Sequence, residues 1–123
     1  MSDLVVFIVD DDPDIAEAIA QVVAASGVRT VVYTHPRTAL EAALEDPPDI
    51  IVVDQVMPDM MGTEFIRQIR MNRIFPPVIM CTGAGDAATR SIVEKLNVSY
   101  FEKPVDIGKL VAAINAFKKQ MAG

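Results

Sequence analysis

The stretch Asp49-Ile50-Ile51-Val52-Val53-Asp54-Gln55-Val56-Met57-Pro58 decides the fold, because it sets a single carboxylate at the end of a short apolar run. Ile50 to Val53 are β-branched throughout, which favours a strand buried on both faces over one with a wet side. Pro58 cannot continue a hydrogen-bonded ladder and turns the chain into a loop. Asp54 therefore stands at the carboxyl end of that strand, on the rim of a sheet. An aspartate there either starts a turn or does chemistry, and what the rest of the chain brings to the same rim decides which.

Upstream, Leu4 to Val9 is another apolar run of strand length, and it ends on Asp10-Asp11-Asp12. Asp12-Pro13 is a helix start, with Asp12 accepting an orphan N–H and Pro13 preset for the first turn. Ile15, Ile19 and Val22 give an apolar stripe at helical spacing, and Gly27 ends the helix. Arg29 to Tyr33 reads as a second strand. Pro36 opens a second helix, with Thr34 or His35 as cap and Leu40 and Leu44 facing in, closed by Pro47-Pro48.

Downstream, a loop from Val56 to Gly62 leads into a helix over Thr63 to Asn72, with Phe65, Ile66 and Ile69 on its inner side. Pro76-Pro77 breaks it. Val78 to Cys81 is a fourth strand, ending on the small-residue loop Thr82-Gly83-Ala84-Gly85. Asp86 to Leu96 reads as a weakly apolar helix, the least secure of the five. Val98 to Phe101 is a short fifth strand followed by Glu102-Lys103-Pro104. Ile107, Leu110, Val111, Ile114 and Phe117 mark a final amphipathic helix.

Strands alternating with helices imply βαβ units and a parallel sheet covered on both faces, an α/β fold. Ligands of such sheets bind beyond the carboxyl ends of the strands, where strand order reverses. Asp10, Asp11, Asp54, Thr82 and Lys103 are expected to gather there, from the ends of strands 1, 3, 4 and 5.

At 123 residues the chain is expected to be one domain, residues 1–123, with no effector domain. Hydrophobic residues at 51% and charged ones at 23% give a normal globular balance. One cysteine, Cys81, excludes an internal disulfide, and without a targeting pattern the expected location is cytoplasmic. No apolar run reaches the ~20 residues that span a bilayer. A net charge of −6 argues against direct nucleic-acid contact.

Three carboxylates in one crevice repel, at about 4 kcal/mol per pair for ~4 Å and an effective dielectric near 20. Lys103 supplies one positive charge. Oxygen-only ligands without His or Cys call for a hard cation, Mg²⁺ or Mn²⁺. Such an ion completes its shell with phosphate oxygens, which makes phosphoryl chemistry its natural use. Asp54 as nucleophile would form an aspartyl phosphate, with Lys103 and the Thr82 hydroxyl contacting the phosphoryl oxygens.

The acidic pair Asp10-Asp11, Asp54 followed by Met57-Pro58 and Gly62, Thr82 followed by a small residue, and Lys103-Pro104 fall in this order on a βα alternation. In these motifs the chain resembles the receiver domain of two-component response regulators over essentially its whole length. The resemblance implies a flavodoxin-like sheet in the order 2-1-3-4-5. It also implies Asp54 as phosphoacceptor, Asp11 as direct metal ligand, Asp10 as ligand through water and the Val56 backbone carbonyl as a further ligand. Thr82 would be the switch hydroxyl, Tyr100 the aromatic switch residue and Lys103 the phosphate partner. The donor would be a histidine kinase or histidine phosphotransfer protein, and the output a changed surface along helix 4, strand 5 and helix 5, read by a downstream protein. The chain would be a phosphoacceptor signalling module and not an enzyme. Gln55, Val56 and Met60-Met61 depart from the commonest pattern. Apolar Val56 and Ala84 occupy positions that govern water access in the family, so slow hydrolysis of the acyl phosphate is expected.

Asp12 reads as a helix cap rather than a ligand, Asp14, Asp59 and Asp86 as solvated or capping groups, His35 as a surface residue, and Cys81 as buried and unreactive. The competing enzyme reading, a small Mg²⁺-dependent phosphatase with an Asp nucleophile, needs an acid two residues after that nucleophile, where Val56 stands. A flavin-binding domain of the same topology needs a first loop of Gly, Ser and Thr, where Asp10-Asp11-Asp12 would repel phosphate.

Overall fold

The computed structural model describes residues 3–83 and 86–122. Ala84 and its expected effect on water access lie outside the described residues. The chain alternates β1 (Val5–Val9), α1 (Pro13–Ala24), β2 (Arg29–Tyr33), α2 (Pro36–Glu45), β3 (Ile50–Val53), α3 (Gly62–Met71), β4 (Val78–Thr82), α4 (Ala87–Lys95), β5 (Ser99–Glu102) and α5 (Ile107–Ala122). The strands form one sheet in the order β2-β1-β3-β4-β5, as the resemblance implied. Every neighbouring pair is parallel.

Side-chain alternation along the strands builds two cores. Val6, Ile8, Ile50, Val52, Ile79 and Cys81 face α1 and α5. Phe7, Val9, Ile51, Val53, Val78 and Met80 face α2, α3 and α4. All four residues of β3 are buried, as a β-branched run in the middle of a doubly covered sheet requires. β3 thus holds its carboxyl end, and Asp54, between β1 and β4.

Asp12 caps α1, its carboxylate accepting the N–H groups of Asp14 and Ile15. The helix buries Ala16, Ile19, Ala20 and Val23, while Ile15 and Val22 are only half-buried. In α2 the expectation for Leu44 fails. Leu44 is 41% exposed, and Pro36, Ala39 and Ala43 form the buried face. Short alanines let the helix lie close to its neighbours, and this rotates the longer leucine outward. His35 is the α2 N-cap without a side-chain cap bond. Ile107 is likewise 60% exposed, and α5 is anchored by Leu110 and Ile114. α4 buries only Thr89 and Val93 and starts from an Asp86 cap that accepts the Thr89 N–H at 2.7 Å. Among the described residues, no helix is long and apolar enough to cross a membrane.

Candidate functional site

The strand order reverses between β1 and β3, and the crevice at their carboxyl ends is framed by Asp10 and Asp54, the residues that follow the two strands. Backbone bonds fix both: Asp10 N–H donates to the Tyr33 carbonyl at 3.1 Å, and Asp54 N–H to the Val9 carbonyl at 2.9 Å. Asp10, Asp11 and Asp54 each bring a carboxylate oxygen to within 4.8 Å of the others, a grouping able to hold a metal ion. Asp10 and Asp54 are buried and Asp11 is exposed, so the cluster opens outward on the Asp11 side.

Lys103, just past β5, reaches across the crevice. Its Nζ lies 2.7 Å from Asp10 Oδ2 and 3.2 Å from Asp54 Oδ2. One ammonium thus serves two carboxylates, and a third, Asp11, stands beside them. Burial pulls the Lys103 ammonium toward its neutral form. The hydrogen bond and charge of Asp10, and then the charge of Asp54, more than reverse this, so its pKa lies above the ordinary lysine value. Burial pushes the Asp10 carboxyl up, and the contact with Lys103 and the Asp12 N–H bond only partly offset it. The second oxygen of Asp10 accepts that N–H at 3.0 Å.

Asp54 Oδ1 accepts the N–H of Gln55 at 2.7 Å, which leaves Oδ2 toward Lys103. Thr82 ends β4, almost fully buried, and its carbonyl accepts the Lys103 N–H at 3.0 Å. Val56, two residues after Asp54, is 47% exposed. Tyr100 pairs with Met80 in the β4–β5 register, so by strand alternation it shares a sheet face with Thr82. The Arg90 guanidinium lies 5.1 Å from the Tyr100 ring centroid and also pairs with Glu102. The Tyr100 hydroxyl is buried without a hydrogen-bond partner. Cys81 is buried, and burial pushes its thiol up to about 12, which makes it inert at neutral pH.

Two contributors were not singled out from the sequence for what they do. Gly62 is packed so closely that a Cβ there would sit 2.2 Å from the Asp54 carbonyl oxygen. Gln55 is buried and bonded to Thr63. Gly62 entered the sequence reading only as part of a motif, without its packing role, and Gln55 only as a departure from that motif, directly after Asp54.

The model of the response regulator receiver domain family matches residues 6–115. The phosphoglycerate transport system transcriptional regulatory protein PgtA of Salmonella typhimurium is 30% identical over 116 residues, spanning 94% of this chain and 28% of PgtA. The transcriptional regulatory protein FixJ of Azorhizobium caulinodans is 31% identical over 114 residues, 92% of this chain and 54% of FixJ. The chain thus spans about half or less of the length of these relatives. The receiver domain of the Francisella response regulator 1452 superposes with a TM-score of 0.88 at 27% identity, covering 97% of this chain and 99% of that one. Sheet order, the acidic crevice and these matches agree, and the chain belongs to the response regulator receiver domain family.

Proposed function

We propose that the chain accepts a phosphoryl group on Asp54 from a phosphohistidine of a histidine kinase or phosphotransfer protein, in a Mg²⁺-dependent reaction. The observation that carries this reading is the Lys103 ammonium held between Asp10 and Asp54, with Asp11 at the open side of the same cluster. Three carboxylates against one ammonium leave negative charge that a hard divalent cation would neutralise, and an oxygen-only donor set fits Mg²⁺, or Mn²⁺ in its place. Asp10, Asp11, Asp54 and the Val56 backbone carbonyl would hold the ion. When bound, it supplies positive charge to the phosphoryl oxygens as charge spreads in transfer.

In the transfer, an Asp54 carboxylate oxygen forms the new P–O bond while the P–N bond to the donor imidazole breaks and its electron pair returns to the ring. Lys103 exchanges a carboxylate partner for a phosphoryl oxygen, and Thr82 offers its hydroxyl to another. The drawn-in Thr82 frees room for Tyr100, and the surface of α4, β5 and α5 changes. The sparse burial of α4, only Thr89 and Val93, supports this part of the reading, because an element of low local stability shifts population for a few kcal/mol. Exposed Val56, two residues after Asp54, would slow attack by water.

NtrC of Escherichia coli K12 is a DNA-binding transcriptional regulator, and this chain spans 24% of it. With a net charge of −6, this chain is assigned a protein partner rather than DNA. We assign it to the cytoplasm, where its lone thiol stays reduced. Incubation with acetyl phosphate and Mg²⁺ tests the reading: one phosphoryl group per chain is expected, absent when Mg²⁺ is chelated. Many turnovers on a phosphate ester would instead establish a phosphatase.

A further inference from the structure

We infer that Gln55 is a positioning residue that sets the orientation of the Asp54 carboxylate by clamping the loop after β3 to the first turn of α3. The inference rests on the phosphoacceptor reading of Asp54. Met61 occupies the N-cap position of α3 and has no side chain able to cap, so the first N–H groups of that helix need acceptors from elsewhere. Gln55 supplies two. Its main-chain carbonyl accepts the Gly62 N–H at 2.8 Å, and its side-chain Oε1 accepts the Thr63 N–H at 2.8 Å. Its Nε2 then donates to the Thr63 hydroxyl at 3.3 Å. Gln55 and Thr63 are 6% exposed each, so these bonds are made away from water.

The clamp reaches the site through the peptide between Asp54 and Gln55. The carbonyl of that peptide is packed against Gly62, where a Cβ would come within 2.2 Å of the oxygen. Its N–H donates to Asp54 Oδ1 at 2.7 Å. The Gln55 carbonyl, in the next peptide, is held by the Gly62 N–H, and the Asp54 carbonyl is packed against Gly62, so rotation of the intervening peptide plane is restricted. The N–H direction is therefore restrained, Oδ1 is held by it, and Oδ2 is directed at Lys103. An apolar residue at 55 would leave the Thr63 N–H buried without an acceptor, and the turn would reorganise to satisfy it. A shift of a few tenths of an ångström there passes directly to the carboxylate.

The test compares wild type with Gln55→Met, of similar length, and Thr63→Val, which removes only the hydroxyl partner. The maximal phosphorylation rate at saturating acetyl phosphate and Mg²⁺, well below the melting temperature, is read beside the midpoint of thermal unfolding. Positioning predicts a loss of about tenfold in the maximal rate for Gln55→Met. For Thr63→Val, which keeps the Thr63 N–H bond to Gln55 Oε1 and loses only the hydroxyl contact, it predicts about threefold. Rates within twofold of wild type in folded variants, whatever their melting temperatures, would overturn the inference. A wild-type chain that takes no label would refute the phosphoacceptor reading itself and is distinguishable by that arm.

Discussion

The Lys103 ammonium sits 2.7 Å from Asp10, a residue of which only 2% is exposed, and so pairs with a carboxylate held away from water. Burial raises the Asp10 pKa above its ordinary 3.8 despite the lysine. The folded chain then binds this proton more tightly than the unfolded chain does, so between 3.8 and the raised value stability falls as pH increases. Asp10→Asn removes that penalty. Its melting temperature is expected to exceed the wild-type value at neutral pH, with the advantage shrinking as pH is lowered toward about 4, where unpaired carboxyls protonate. Lys103 keeps Asp54 as partner at 3.2 Å. A difference between the two proteins that does not vary with pH would contradict this assignment.

Mg²⁺ should stabilise the chain by occupying the acidic cluster. Thermal unfolding is expected to gain about 1.4 kcal/mol for each tenfold of free Mg²⁺ above its dissociation constant. Asp11→Asn removes the exposed carboxylate of the cluster. It should weaken this dependence strongly while leaving the metal-free stability near wild type. Equal Mg²⁺ responses in the two proteins would remove Asp11 from the ligand set.

Gly62→Ala places a methyl carbon 2.2 Å from the Asp54 carbonyl oxygen, a contact with backbone that must be relieved by moving the loop. A loss of about 1–3 kcal/mol is expected from overpacking. Phosphorylation should slow as well, because the displaced peptide is the one that bonds Asp54. Chemical denaturation together with a labelling time course checks both.

Tyr100→Phe deletes a buried hydroxyl that has no hydrogen-bond partner. In the unphosphorylated chain this variant should be as stable as wild type or more stable by up to about 1 kcal/mol, since a desolvated, unpaired group is removed. The Arg90 contact with the ring face survives the change. A clear loss of stability would mean that the hydroxyl is bonded after all.

Much of this architecture was legible in the sequence because its signals are local. Apolar runs ending on acids gave β1 and β3, and Asp12-Pro13 gave the α1 cap, with the Asp14 and Ile15 N–H groups found on its carboxylate. The excess of acid over base at the strand ends called for Lys103, which is found between Asp10 and Asp54. The misses are long-range. Leu44 and Ile107 turn outward because alanines in α2 and Leu110 and Ile114 in α5 set the helix faces, and no single-helix pattern ranks an alanine above a leucine. Gln55 read as a departure from a motif. Its burial depends on Thr63, eight residues away, and on a helix whose own cap position holds Met61.

Phosphorylation of Asp54 can be read chemically by trapping the acyl phosphate with borohydride after incubation with acetyl phosphate and Mg²⁺. Reduction converts a phosphorylated aspartate to homoserine, which peptide mass mapping locates. Homoserine is expected at residue 54 alone, lost when Mg²⁺ is chelated and absent in Asp54→Asn. Homoserine at Asp10 or Asp11, or none under conditions that leave the protein folded, would contradict Asp54 as the phosphoacceptor.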